Sequence, residues 1–447
     1  MERMEYMKKL TLFSIALLMM LMALAGVVSG NVYAADEVAP VSTGLHVLAA
    51  RSSMAVSGVS GNEIAFAPED FERALNMKRI DYITFTKVPD EGVGTLYLGS
   101  DGVSVGKTVS RENLHKLSYA GAAEGISENT FSFTTGRGYE IECSVYMLKG
   151  QNYCPTAGKA GELSLDVSTY RNVSVYGDLS GSDPDGDEIE FEVVSYPTSG
   201  ILVMTNESTG EYRYTPSADY TGKDSFKYVV KDKYGNYSAA STVSIEINKT
   251  TLGSVLTDMG GNKAHSAAIS MVEKGIMTAS ENSGKLSFDP TASISREEFL
   301  VMVMKAAGLN YTDAQRASGG SAQVSTGFED DAEISASAKG YINLAKQKGF
   351  ISGDGGYFYP KRDITAAEAA VMIDKVIGAS SYVSNENVSE MVFADHIDIP
   401  VWAESSIRNL NSIGVMADVN GYIYPDKTLD RATGATMLEA VMKIVEQ

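Results

Sequence analysis

The chain has little of what builds a disulfide framework, a nucleic-acid surface or a histidine-based site. It holds two cysteines, four histidines and one tryptophan in 447 residues. Stability must therefore come from packed cores rather than covalent staples. Cys143 and Cys154 could close a short loop in an oxidising compartment or stay as two thiols. Cationic residues are outnumbered, 37 Lys and Arg against 57 Asp and Glu, for a formal net charge of -20. Displacing phosphate counterions needs clustered Lys and Arg, so nucleic acid is excluded as a partner. Acidity of this kind suits solubility or divalent cations. No nucleophile motif and no metal-ligand spacing is present. The acids Glu329, Asp330 and Asp331 could be imagined as carboxylates of a hydrolase. They sit where one repeat begins, and solvated charge explains them better, so an enzyme is not expected.

Long apolar runs are missing too, except at the start. Lys8 and Lys9 precede "LTLFSIALLMMLMALAGVV", and the small residues Val32 and Ala34 follow just before Ala35. This reads as a secretory signal peptide over 1–34, cleaved to leave an exported chain with no membrane segment. The run is long enough to span a bilayer if it were kept.

What is present falls into two halves. From 63 to 248 the sequence is a series of short alternating runs, among them "DYITFTKV", "NTFSFTTG", "EIEFEVVS", "DSFKYVVKD" and "STVSIEIN", separated by Gly, Pro, Asp and Asn. Such alternation predicts strands with one buried face, and many of them predict antiparallel sandwiches. The runs form two similar sets. "VPDEGVGTLYL" parallels "YPTSGILVM", "LSYAG" parallels "YRYTPS", and "NTFSFTT" parallels "DSFKYVV". Two all-β sandwiches are expected, at 60–150 and 155–249, the first with an added excursion, "SDGVSVGKTVSRENLHK".

The stretch from "GSDPDGDEIEFEVVS" to "DSFKYVVKDKYGN" resembles the bacterial cadherin-like, immunoglobulin-like repeats of surface proteins. The resemblance implies that the "DPDGD" turn can help bind calcium, the one cofactor entertained. Asp183, Asp185 and Asp187 offer hard oxygen ligands around Gly186, with Asp232 as a distal candidate. A solvated Asp-Gly turn is the plainer alternative.

After about residue 250 the period becomes helical. "AISMVEKGIM", "YINLAKQKGFI" and "SIRNLNSIGVM" each break at a glycine: Gly275, Gly349 and Gly414. Each is followed by a loop and a second apolar helix. The loop phrase occurs three times, as "FDPTASISREE", "FYPKRDITAAE" and "IYPDKTLDRAT". Ser295 with Glu298 and Thr365 with Glu368 spell capping boxes, and Asp430 caps without the matching acid. Arg296 and Arg431 stand at the first helical position, where the helix dipole disfavours a cation and an anion could be gripped.

These repeats, at 252–310, 328–379 and 391–447, resemble S-layer homology domains. The resemblance implies an all-α pseudo-threefold bundle of three helix-loop-helix repeats. Its grooves would bind secondary cell-wall polysaccharide linked to peptidoglycan and often carrying an acidic pyruvate ketal. The residues it assigns to that polymer are Arg296, Arg431, Trp402, Asp258, Asp395 and Gly414. The second repeat has Ala366 for the arginine and no tryptophan, so an uneven share in binding is expected. The expectation is a non-catalytic, wall-anchored surface protein displaying its sandwiches, with other surface proteins as further partners. A calcium-dependent adhesin is the main alternative and a wall-anchored hydrolase the weaker one.

Overall fold

The computed structural model describes residues 53–446 apart from 91, 122–126, 137, 159–163, 251, 253–255, 310–324, 384–392 and 420. The expected signal peptide lies outside the described residues. Among the described residues, no helix is long and apolar enough to cross a membrane.

The first part is a pair of sheets. β1 (Ser53–Val59), β2 (Glu63–Ala65), β3 (Tyr82–Lys87), β4 (Gly94–Leu98), β5 (Asp101–Gly102), β6 (Thr108–Ser110), β7 (Leu117–Gly121), β8 (Ser127–Thr135) and β9 (Glu140–Leu148) form the orders β1-β9-β8-β3-β6 and β2-β7-β4-β5. Alternation selects the buried face: on β9 it points Ile141, Cys143, Val145 and Met147 inward. Phe71, Phe85, Phe131 and Phe133 fill the core between the sheets. Phe71 comes from a helix not foreseen in the sequence, α1 (Pro68–Ala74). Its local chemistry is clear in hindsight. Proline opens it, Glu69 and Asp70 complement the dipole, and Asp70 accepts from the Ala67 N–H at 2.7 Å.

The second part repeats the plan. β10 (Thr156–Ala157), β11 (Ser164–Tyr170), β12 (Val175–Asp178), β13 (Gly181–Ser182), β14 (Ile189–Ser195), β15 (Gly200–Asn206), β16 (Glu211–Pro216), β17 (Gly222–Asp232) and β18 (Ser241–Asn248) give the orders β11-β18-β17-β14 and β12-β16-β15, plus the pair β10-β13. The matched strands of the two parts are those the sequence paired. The sheets are not wholly antiparallel as expected. β1 runs parallel to β9, and β11 to β18. A parallel pair needs a long connection, and here the rest of the domain is that connection.

In both parts a glycine opens the strand after the proline turn because a tyrosine lies across it. A Cβ on Gly94 would sit 2.1 Å from the Tyr119 hydroxyl, and one on Gly200 2.4 Å from the Tyr214 ring. The turn before β15 is held by the buried Asp224, which accepts from Thr198 N–H (3.0 Å), Ser199 N–H (2.8 Å) and the Tyr214 hydroxyl (2.9 Å). Burial, then that carboxylate, pushes the Tyr214 pKa well up.

The third part is helical. α2 (His265–Glu273), α3 (Arg296–Ala306), α4 (Ala336–Gln347), α5 (Ala366–Ile377), α6 (Val401–Ser412) and α7 (Arg431–Val445) share one hydrophobic core, with a hairpin of β19 (Ser280–Asn282) and β20 (Lys285–Ser287) in the first repeat. Gly275, Gly349 and Gly414 each follow a first helix at φ +64°, +75° and +74°.

The parts are jointed by close contacts. A Cβ on Gly235, in the hairpin after β17, would lie 2.0 Å from the Ala55 carbonyl oxygen of β1. Tyr234 beside it meets Tyr146 edge-on at 5.2 Å. At the other end, Val173 is buried within the helical core, and Tyr176 donates to the Gly261 carbonyl at 3.2 Å.

Replacing Asp224 with Ala leaves the Thr198 and Ser199 amides and a buried tyrosine hydroxyl without their acceptor. We expect a loss of about 2–4 kcal/mol, read as an earlier melting transition of the second sandwich.

Candidate functional site

The phrase written three times forms one structure. Ile294 N–H donates to the Leu429 carbonyl (3.1 Å), Leu429 N–H to Ile364 (2.9 Å) and Ile364 N–H to Ile294 (3.0 Å), closing a ring. Each second helix then docks its first two amides on a neighbouring loop. Arg296 and Glu297 donate to Arg362 and Pro360, Ala366 and Ala367 to Lys427 and Pro425, and Arg431 and Ala432 to Ala292 and Pro290. These donors have no partner inside their own helix. The side-chain caps form as read: Ser295 with Glu298, Thr365 with Glu368, and Asp430 to the Thr433 N–H.

An aspartate pins each loop from behind. Asp258 accepts from the amides of Phe288 and Asp289, Asp330 from Phe358 and Tyr359, and Asp395 from Ile423 and Tyr424. Burial works to raise the Asp258 pKa, but its amide and Ser287 donors outweigh that and hold it below the usual range. Asp258 and Asp395, read from sequence as ligand residues, thus have carboxylates engaged by the loops. Asp330, left out of that set, does the same work in the second repeat.

The arginines reach across to the next repeat. Arg296 lies over the Phe358 ring at 5.4 Å and 3.5 Å from Glu368, with its side chain 17% exposed. Arg431 lies over Phe288 at 4.6 Å and donates through Nε to the Phe288 carbonyl at 2.7 Å and through Nη2 to that of Thr278. The third junction has Ala366 for the arginine, Ile423 for the aromatic and Thr433 for the acid. The three members change together, which answers why one arginine is missing: its aromatic seat and its acid are missing as well. This set was not visible in the sequence, because Arg296 and Phe358 belong to different repeats.

The two arginines also differ. Arg296 has a carboxylate on it; Arg431 forms no ion pair within 4 Å among the described residues. Arg431 lines a groove of about 320 Å³ with Thr278, Ser280, Asp289, Ser293 and Glu298. Burial lowers its pKa from the ordinary value, yet arginine keeps its charge at any physiological pH. Of the other expected ligands, Trp402 stands 60% exposed in the first turn of α6. Gly414 ends that helix at positive φ, a backbone reason for glycine.

The acidic turn of the second sandwich gathers three of its four expected residues. Carboxylate oxygens of Asp183, Asp185 and Asp187 lie within 4.8 Å of one another. Asp183 Oδ1 accepts from the Asp185 and Asp187 amides, while its Oδ2 is buried with no partner. Burial, then the neighbouring Asp183, raises the Asp187 pKa. Asp232 lies outside this cluster. Its oxygens accept from the Tyr234 and Asn236 amides and from the Asn152 and Asn236 side chains. The Cys143–Cys154 disulfide is not formed either, since Cys143 points into the first core and Cys154 is exposed.

Paired-sheet modules followed by interlocked helix-loop-helix repeats define a modular chain. Comparison with known proteins sharpens this. Residues 152–249 match the bacterial cadherin-like domain, and residues 327–370 match the S-layer homology domain. The chain therefore carries a cadherin-like module and a C-terminal S-layer homology domain. It is 37% identical over 91 residues to the cellulosome-anchoring protein of Acetivibrio thermocellus, a fifth of either chain. Solved structures with local likeness include the fibronectin(III)-like modules of Clostridium thermocellum CbhA (14% identity, 44% of this chain and 91% of that one, TM-score 0.20) and human CDH23 EC21-23 (16%, 44% and 72%, TM-score 0.19).

Beside the Asp258 loop, His265 is buried, with Nε2 unpartnered. Burial lowers its pKa from 6.5 to about 4. The folded state thus resists a proton that the unfolded state accepts, so stability falls as pH drops from 6.5 towards 4 and levels below that. The loss across this window is about 3 kcal/mol. His265→Phe should flatten that acid limb in pH-dependent melts.

Proposed function

We propose that the three C-terminal repeats form a pseudo-threefold bundle that holds the protein on the cell wall by binding the anionic secondary polysaccharide. The two sandwiches then stand outward as spacer or adhesion modules. The S-layer homology match and the anchoring relative support attachment to the wall. The observation that carries the ligand class is Arg431, a permanent cation in a groove, held by carbonyls and without a carboxylate within 4 Å. Its neighbours Thr278, Ser280 and Ser293 bring hydroxyls of the kind that bind sugars. Arg296 shares the Glu368 carboxylate with Arg362 and acts as a latch between repeats. The second-to-third junction lacks both arginine and aromatic, so the Arg431 groove, whose lining also holds Asp289 and Glu298, is where an arginine stands without a direct ion pair among the described residues.

Co-sedimentation of the chain with purified walls, before and after stripping the secondary polymer, tests this. Binding is expected to be lost on stripped walls. Arg431→Ala should weaken it roughly tenfold or more, whereas Arg296→Ala should chiefly lower the melting temperature. Lys375→Ala, exposed on α5, serves as the control. Lys361 does not, because its ammonium pairs with the buried Glu297. Equal affinity for stripped and intact walls overturns the reading.

A second reading concerns calcium. The orphaned Asp183 Oδ2 among three carboxylates is the donor that a hard divalent cation would complete. Asp183, Asp185 and Asp187 would hold it, and Asp232 would stay with its hairpin. Calcium at a hundred times its Kd should then stabilise the second sandwich by about 2.7 kcal/mol, and Asp183→Asn should abolish the shift. Melting curves that coincide in calcium and in chelator defeat this reading.

A further inference from the structure

The second and third repeats share a surface feature that the first repeat lacks. In each loop two tyrosines flank a buried apolar residue: Tyr357 and Tyr359 around Phe358, Tyr422 and Tyr424 around Ile423. The rings of each pair are stacked, 5.7 Å apart at 22° and 5.4 Å apart at 19°. All four stay 41–46% exposed. Each pair has the same rigid mount. Tyr357 exchanges both backbone hydrogen bonds with Asp354, and Tyr422 does so with Val419. Asp330 and Asp395 hold the second tyrosine's amide from below.

Tyr359 and Tyr424 take φ of +57° and +52°. Bulky L-residues rarely enter this region, which costs of order 1 kcal/mol or more and persists where surroundings impose it. The first repeat shows that the loop does not require tyrosine. It closes at φ +56° with Asp289, a residue type that tolerates this backbone, and it has Ser287 at the other position. Tyrosine there adds strain and leaves a large ring partly in water; Arg362 lies over the Tyr359 ring at 5.8 Å, whereas Tyr424 carries no cation among the described residues, so neither backbone nor core packing accounts for the pair in both repeats.

We infer that the two tyrosine pairs are platforms for uncharged sugar rings, a second contact with glycan apart from the Arg431 groove and independent of it. A pair of rings at two-fifths exposure offers on the order of 200 Å² of flat surface. A stable protein interface needs about 800 Å² per partner, so one or two pyranose rings fit the area and a protein does not. The C–H face of a pyranose meets an aromatic ring, and the tyrosine hydroxyls and adjoining loop polar groups remain for its hydroxyls. Two equivalent platforms on neighbouring repeats suit a polymer with repeating rings.

Calorimetric titration of the full chain with two neutral probes, chitotetraose and cellohexaose, tests this against the Tyr359→Asn, Tyr424→Asn double variant. Asparagine suits positive φ, so the variant should melt at the same temperature or higher. It should also lose at least about fivefold in affinity for a probe that the parent binds. Arg431→Ala should leave that affinity unchanged, which separates the platforms from the anionic groove. Three outcomes overturn the proposal. Neither probe binds the parent; or the double variant melts lower with affinity intact, which makes the tyrosines structural; or it changes only self-association in sedimentation, which makes them a contact between copies.

Discussion

The helical part depends on backbone amides at helix starts that cannot be satisfied within their own repeat. The first donors of a helix have no internal acceptor, and here the carbonyls of Pro360, Arg362, Pro425, Lys427, Pro290 and Ala292 supply the acceptors from the adjacent loop. Each repeat therefore caps a neighbour and is capped in turn. Removing one repeat would strand donors on one side and acceptors on the other, quite apart from exposing the shared core. The triplicated phrase records this dependence. Its proline fixes the bend that presents the carbonyl, and the aspartate behind the loop gives the amides before that proline a partner.

Once the loops are closed in this way, the first helical position of one repeat is forced against the apolar residue of the next. An arginine there needs a flat partner and a nearby acid; an alanine needs only a close-packed aliphatic. The first-to-second junction takes the first solution, with Arg296, Phe358 and Glu368. The second-to-third takes the other, with Ala366, Ile423 and Thr433. The third-to-first has arginine and aromatic, and its acid, Glu298, caps its helix with Ser295 as Glu368 does with Thr365, but forms no ion pair with Arg431 among the described residues. Identical backbone geometry thus yields three chemically different junctions. The difference between them is set by side chains that lie about sixty or more residues apart.

That separation marks what could be read from the sequence. Alternating strands, the helix-ending glycines, the capping boxes and the correspondence of the two sandwiches are local patterns, and the structure bears each out. The short helix α1 was missed because seven residues give too little periodicity to be seen. The parallel pairing of first and last strands depends on where a whole domain returns, which no window of sequence contains. The surroundings of the candidate site residues divide in the same way. Arg431 was recognised by its place in a motif, while its groove partners Thr278, Asp289 and Glu298 come from another repeat. Asp258, Asp395 and Asp232 look like free acids on paper and are engaged by amides in three dimensions.

The joints between parts bear on what such a chain can transmit. A flexible linker would let each sandwich tumble independently of the helices, as polar linkers without packed contacts do. Two observations argue for stiffness instead. Gly235 approaches the Ala55 carbonyl so closely that no side chain fits, flanked by the Tyr234–Tyr146 contact. Val173, from the loop between β11 and β12, is buried in the helical core, so the second sandwich and the first repeat share packing. Neither contact uses the acidic turn, whose Asp185 instead accepts the Tyr153 amide at 2.7 Å. Force or orientation imposed on the helical part would therefore pass through packed side chains into both sandwiches. A cation at the acidic turn would add stability to a joint that already exists rather than create one.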